Sequence, residues 1–167
     1  MKFTPLLIVI ILFTCIGCSM DYEQGTVAEN LSEEIPNSVL FDVTHTLVSG
    51  GRPVYVVKAG KAEAYHSKNR TIMYNVLFQE LNEEGEIITE GWVDEVRFQT
   101  DTENAALIGN IEFYSTTEEA EIRGNYLEWN NELKTLSERE YEKVHLENTS
   151  GSTVSGSGFV ADFSKKR

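Results

Sequence analysis

Short runs in which apolar and polar residues alternate cover most of this chain from Val39 onward. The runs are rich in Val, Ile, Tyr, Phe and Thr, and clusters of Gly, Asn, Ser and Asp separate them. A period of two with this composition is typical of β-strands that bury one face. The pattern predicts strands over residues 39–47, 54–65, 71–81, 87–98, 105–114, 120–129, 133–136, 141–147 and 153–163.

The alternation also predicts which side chains share a face of the sheet, because successive side chains in a strand point to opposite faces. In the strand over residues 87–98, it places Trp92, Val96 and Phe98 together. In the strand over residues 71–81, the expected shared face consists of Ile72, Tyr74, Val76 and Phe78.

Residues 133–144 leave one alternative to strands open. This segment is rich in Glu, Lys and Leu, which favour helices. Its apolar residues do not keep a steady helical stripe, so strands remain the expectation and a short helix is the alternative.

Four glycines recur at nearly equal intervals along the chain: Gly60, Gly91, Gly124 and Gly158. An apolar side chain, most often aromatic, follows each glycine five residues later. A repeating unit of strand, turn and strand cannot cover its own apolar face, so its neighbours must provide the cover. We therefore expect an all-β domain, an elongated pair of sheets in a jellyroll-like or solenoid-like slab.

The N-terminus shows a different pattern. Lys2 precedes an apolar run over residues 3–16, which is shorter than the roughly 20 residues that a membrane-spanning helix needs. The run therefore indicates a signal peptide over residues 1–17. Ile16-Gly17-Cys18 resembles the lipobox of bacterial lipoproteins, with Cys15 where those proteins usually have Leu. The resemblance implies lipidation of Cys18; a plain secretory signal or an uncleaved anchor is the alternative.

The composition of the rest of the chain predicts where the folded domain begins and argues against some partners and cross-links. Residues 18–37 are acidic and lack a period, so we expect a flexible tether there and a folded domain over residues 38–167. The net charge of −13 argues against nucleic acid, whose binding depends on Lys and Arg contacts to phosphate. Cys15 and Cys18 are the two cysteines of the sequence, so the domain has no disulfide.

The domain resembles the LptC family, the periplasmic component of lipopolysaccharide export that is related to the LptA/OstA proteins. The resemblance covers most of the mature chain and rests on "GWVD" at residues 91–94, "GNIEFYS" at 109–115, "GNYLEWNNELKTL" at 124–136 and "GSTVSGSGFVADF" at 151–163. It implies an elongated, twisted β-jellyroll with an open apolar groove for acyl chains. Typical members carry a transmembrane anchor helix, whereas a lipid anchor is expected here.

The resemblance also implies a function and partners. The protein would lie on the periplasmic side of the inner membrane and receive lipopolysaccharide or a similar glycolipid from an inner-membrane ABC transporter. It would pass the lipid to an LptA/OstA-like protein by edge-strand contact, for which residues 159–163 are the candidate edge. The expected groove residues are Phe78, Trp92, Phe98, Leu107, Ile111, Phe113, Leu127, Trp129, Phe159 and Phe163. Each of them could instead belong to a dry core.

No pattern of residues indicates catalysis. His45, His66 and His145 are far apart, no nucleophile elbow or phosphate loop is present, and no metal or cofactor is expected. Paired carboxylates are a poor signal in so acidic a chain, and an enzyme with a cryptic carboxylate site is the least favoured interpretation. The main alternative to a lipid carrier is a structural or adhesive surface lipoprotein without a ligand groove.

Overall fold

The structure is a computed structural model that describes residues 35–139 and 141–164. The expected signal peptide, the lipid anchor at Cys18 and the tether up to residue 34 lie outside the described residues. The three basic residues after Ser164 lie outside them too.

The described residues form ten β-strands and one short 3-10 turn at His66–Lys68. Long strands come first and short strands last. The strands are β1 (Ser38–Ser49), β2 (Arg52–Tyr65), β3 (Arg70–Leu81), β4 (Ile87–Gln99), β5 (Ala105–Ser115), β6 (Ala120–Asn130), β7 (Thr135–Glu138), β8 (Val144–Asn148), β9 (Thr153–Gly156) and β10 (Val160–Asp162).

The strands make one antiparallel sheet in which β1 to β6 follow one another as a meander. At β6 the sheet forks, because residues 120–123 pair with β8 and residues 127–130 pair with β7. One branch continues from β7 to β10, and the other continues from β8 to β9. The expected pair of sheets is therefore one continuous sheet with two branches.

The all-β fold of stacked antiparallel strands is confirmed, and the open meander is compatible with the expected elongated, twisted β-jellyroll. The expected strand over residues 153–163 is two strands, β9 and β10, which belong to different branches. The helix considered for residues 133–144 does not form, because β7 and the start of β8 occupy its two ends.

The buried core contains small and medium-sized side chains. Leu127 and Val93 are the largest side chains that are completely buried among the described residues. Partly buried residues pack around this centre, including Phe98, Phe113 and Phe159. The buried cluster consists of Ala59, Val76, Val93, Val96, Leu107, Ile111, Leu127 and Val144.

A row of polar residues, called here the polar row, crosses the sheet at Asp42, Asn75 and Asn110. In the strands that it crosses, the side chains before and after the row do not follow one continuous alternation. Val93 and Val96 both belong to the buried cluster although they are three residues apart, which regular alternation would place on opposite faces. The register of β4 against β5 is irregular at this point. Neighbouring strands carry residues with positive φ in the same row, at Asp42 (52°), Asn75 (53°) and Asn110 (28°). Asn and Asp tolerate this left-handed backbone better than most residues do.

The reversal corrects two expectations about shared faces. In β3, Val76 and Met73 contact the core, whereas Tyr74 pairs with Lys61 of β2 on the other face. In β4, Val96 contacts the core, whereas Trp92 pairs with Glu112 of β5 and is exposed. Strict alternation fails in both strands because the irregular backbone at the polar row shifts the alternation of inward and outward side chains by one residue.

Gly91 allows an aromatic ring to lie directly on the backbone of β4. Gly91 pairs with Phe113 of β5, and a Cβ atom at residue 91 would overlap the Phe113 ring. Any side chain at residue 91 would therefore displace this ring from the core side of the sheet.

A carboxylate on the opposite face collects several hydrogen bonds. Glu63 of β2 contacts the Lys61 ammonium at 2.6 Å and accepts hydrogen bonds from the hydroxyls of Tyr65 (3.1 Å) and Tyr74 (3.3 Å). The hydrogen bond from Lys61 is the main cause that lowers the pKa of Glu63 below its ordinary value of 4.5. These contacts favour the charged form of Glu63.

We expect Glu63→Gln to destabilise the protein at neutral pH and to have less effect in acid. The folded state holds Glu63 with a lowered pKa, so its stabilising effect is complete above pH 4.5 and disappears as the pH falls through that lowered pKa. Urea unfolding of both proteins between neutral pH and about pH 3 measures the difference in unfolding free energy. Glu84→Gln, in an exposed turn, controls for the loss of one charge. A difference that grows on acidification would contradict this account.

Candidate functional site

The face of the sheet that carries the buried cluster, called here the inner face, is apolar across six strands. Residues directly opposite each other on antiparallel strands share a face, so the strand register shows which side chains adjoin. One row across β2, β3, β4, β5, β6 and β8 consists of Val57, Phe78, Gly91, Phe113, Ile122 and Leu146. A second row across β3 to β6 consists of Met73, Val96, Leu107 and Leu127.

The inner face brings together nine of the ten expected groove residues. Leu107, Ile111 and Leu127 belong to its buried centre. The other six are aromatic and lie around this centre: Phe78, Phe98, Phe113, Trp129, Phe159 and Phe163.

The aromatic rings form two groups at different places on the inner face. The first group consists of Phe78, Phe113 and Tyr55. The Phe78 ring centroid lies 6.0 Å from that of Phe113 and 5.6 Å from that of Tyr55. Trp129 contacts Phe163 at 5.9 Å. Edge-to-face and tilted contacts at these distances are typical of stable aromatic pairs. Phe78 and Trp129 thus lie in two aromatic groups on either side of the aliphatic centre.

The rings and the centre differ in their access to solvent. The aliphatic centre is dry, with Leu127 at 0% and Val93 at 1% exposure. All six aromatic residues of the predicted set are only partly buried. The inner face therefore combines a sealed aliphatic centre with aromatic surface that an apolar ligand could still reach.

Trp92 is the tenth expected groove residue, and the structure places it on the opposite face, called here the outer face. It pairs with Leu77 and Glu112, and 43% of its surface is exposed. Trp92 therefore does not adjoin the other nine residues, because the polar row reverses the alternation between Trp92 and Val96.

The structure adds inner-face residues that the sequence pattern did not single out. Val57, Met73, Ile122 and Leu146 all pack against the buried cluster. Each of them lies opposite an expected residue or another apolar residue in the strand register. The sequence signal for these inner-face residues was an apolar residue in each of two neighbouring runs. Only the strand register shows which residues of the two runs lie opposite each other.

Two acidic residues border the inner face. Glu80 lies beside the first aromatic group, where it accepts a hydrogen bond from Thr89 (2.9 Å). Burial raises the pKa of Tyr55, and the charge of Glu80 is the second cause of this rise. Glu138 lies opposite the buried Leu127 and accepts a hydrogen bond from the backbone N–H of Gly158, while its other oxygen is buried with no hydrogen-bond partner among the described residues. Glu80 therefore marks a polar end of the inner face, whereas Glu138 adjoins its buried centre.

The three histidines lie apart on the sheet surface. His45, His66 and His145 are exposed, and His145 Nδ1 contacts Ser155 Oγ at 2.6 Å. Within residues 35–139 and 141–164, no group of three His, Cys, Asp or Glu residues could hold a metal ion. The same residues contain no helix that is long and apolar enough to cross a membrane.

No known family model matches this chain, and no curated protein is similar to it at a significant level.

Proposed function

We propose that this protein is a lipid carrier of the LptC type, which holds the acyl chains of lipopolysaccharide or a related glycolipid on its inner face. Lipidated Cys18 would tether it to the periplasmic side of the inner membrane. There it receives lipid from an ABC transporter complex and passes it to an LptA/OstA-like partner. The observation that carries this proposal is the convergence of nine expected residues on one face whose aromatic rings stay accessible.

The energetics of the proposed transfer require a surface of this kind. An acyl chain that leaves a bilayer loses about 0.8 kcal/mol for each CH₂ group unless apolar surface receives it. The rings of Phe78 and Phe113 and those of Trp129 and Phe163 supply apolar surface on either side of the buried centre. Transfer along such a strip needs no covalent step.

Transfer to a partner requires a free sheet edge beside the strip. β10 (Val160–Asp162) ends one branch of the sheet and pairs with β7 alone among the described strands. An added strand from a partner would extend this branch next to Phe159 and Phe163. We propose this edge as the site where the LptA/OstA-like partner joins, so that the apolar surface of the inner face continues into the partner.

Site-specific photo-crosslinking in cells tests the carrier function. We expect p-benzoylphenylalanine in place of Phe113 to crosslink to a glycolipid, which lipid staining and mass spectrometry of the adduct would identify. The same residue in place of Tyr114 is the matched control, because Tyr114 is the next residue of β5 and lies exposed on the outer face.

Two outcomes would exclude the proposal. One is the absence of lipid on the Phe113 probe in correctly folded protein, and the other is equal labelling of both probes.

The alternative of a surface lipoprotein predicts that protease added to intact cells cleaves the chain. The proposed periplasmic location predicts that the chain resists protease until the outer membrane is opened.

A further inference from the structure

A concave surface lies on the outer face, where the sheet forks at β6. This outer groove has a volume of about 640 Å³ and is bordered by Trp92, Glu112, Arg123, Asn125, Tyr141 and Lys143. It arises because β6 pairs with β8 through residue 123 and with β7 only from residue 127. Its volume is in the range of pockets that hold small organic ligands.

Two aromatic side chains border the outer groove, Trp92 and Tyr141, and neither contacts another ring among the residues that the structure describes. Trp92 is 43% exposed and Tyr141 is 85% exposed. Tyr141 has a φ of 74°, a left-handed conformation that is strained for a residue with a bulky side chain. Residues with a strained backbone cluster at active sites and ligand clamps, where the surrounding structure holds them in place.

The polar side chains of the outer groove retain hydrogen-bonding capacity. Within the described part of the chain, the Asn125 amide and the Lys143 ammonium have no side-chain partner. Arg123, by contrast, contacts Glu112 (3.4 Å) and Glu121 (2.5 Å), so its guanidinium already has carboxylate partners. An amide offers both a donor and an acceptor, whereas an ammonium only donates.

Charged side chains of both signs surround the outer groove. Glu112, Glu121 and Glu142 lie beside Arg123 and Lys143, and Arg123 already contacts two of these carboxylates. No cluster of one sign is therefore present that would select a strongly acidic or a strongly basic ligand. A peptide strand would need a long free sheet edge, whereas the fork interrupts the pairing of β6 for only three residues.

We propose that the outer groove binds a neutral saccharide chain. One face of a pyranose ring carries C–H groups that stack on a flat aromatic ring such as the indole of Trp92. Its hydroxyls both donate and accept, which suits the Asn125 amide and the Glu112–Arg123 pair. The site is separate from the apolar inner face, so it does not depend on the proposed lipid-carrier function.

Fluorescence titration of the full chain tests this proposal. Trp92 and Trp129 are its two tryptophans, so Trp129→Phe leaves Trp92 as the reporter. The probes are chitohexaose, cellohexaose, maltohexaose and the lipid-free oligosaccharide of lipopolysaccharide, and any detergent must lack a sugar headgroup. We expect at least one probe to change the Trp92 emission saturably.

Calorimetry with that probe then assigns the groove. We expect Trp92→Ala to weaken binding at least about ten-fold and Asn125→Ala about three- to ten-fold. Tyr114→Ala, an exposed aromatic residue outside the groove, should leave affinity unchanged. The proposal is overturned if no probe binds saturably to protein with a native near-UV spectrum, or if binding survives both groove substitutions.

Discussion

Replacing Leu127 by alanine should lower the free energy of unfolding by about 3 kcal/mol. Leu127 has no exposed surface and lies in β6, where the branch that contains β7 begins. It pairs with Leu107 of β5 and belongs to the buried cluster, so the deleted carbons would leave a cavity with little room for collapse. Denaturant unfolding followed by near-UV circular dichroism measures the loss.

Leu133→Ala is the matched control for this substitution. Leu133 is in the turn that follows β6 and is 63% exposed, so removing its side chain should change stability by less than about 0.5 kcal/mol. Equal effects of the two substitutions would show that β6 does not lie at the centre of the core. The comparison therefore checks the position of the dry part of the inner face.

The strands could be predicted from the sequence because local turn chemistry limits each one. The hairpin between β3 and β4 is an example, since Asn82 Oδ1 accepts the backbone N–H groups of Glu84 (3.0 Å) and Glu86 (2.8 Å). Asn side chains favour such turns by hydrogen bonding to nearby backbone. Signals of this kind depend on a few adjacent residues, so a single sequence contains them.

The faces of the strands could be predicted only between irregularities. Asn75 takes a positive φ, and the inner face therefore passes from Val76 to Met73. Asn is also common in ordinary turns and strand ends, so its identity alone does not signal a reversal within a strand. The reversal follows from the polar row across several strands, and that row exists only once the register is known.

The sequence could not predict the outer groove or the separation of β9 from β10, because both depend on the fork of the sheet at β6. The run over residues 153–163 reads as one strand, yet β9 pairs with β8 and β10 pairs with β7. The outer groove depends on this separation, because it lies beside the part of β6 that neither branch covers. Partners that are distant in sequence decide which branch a short strand joins, and no local pattern encodes them.

The two tryptophans lie on opposite faces and provide the most direct test of the lipid-carrier account. Trp129 contacts Phe163 on the inner face, whereas Trp92 is exposed on the outer face. Bromine on an acyl chain quenches indole fluorescence only at contact distance. Trp92→Phe leaves Trp129 as the reporter of the inner face, and Trp129→Phe leaves Trp92 as the matched reporter of the outer face.

The decisive measurement is titration of both single-tryptophan proteins with dibromostearic acid, with stearic acid as the unbrominated reference. If the inner face receives acyl chains, Trp129 should lose most of its fluorescence at saturation, while Trp92 should keep nearly all of its emission. Unquenched Trp129 in folded protein, or equal quenching of Trp92 and Trp129, would contradict acyl-chain binding on the inner face.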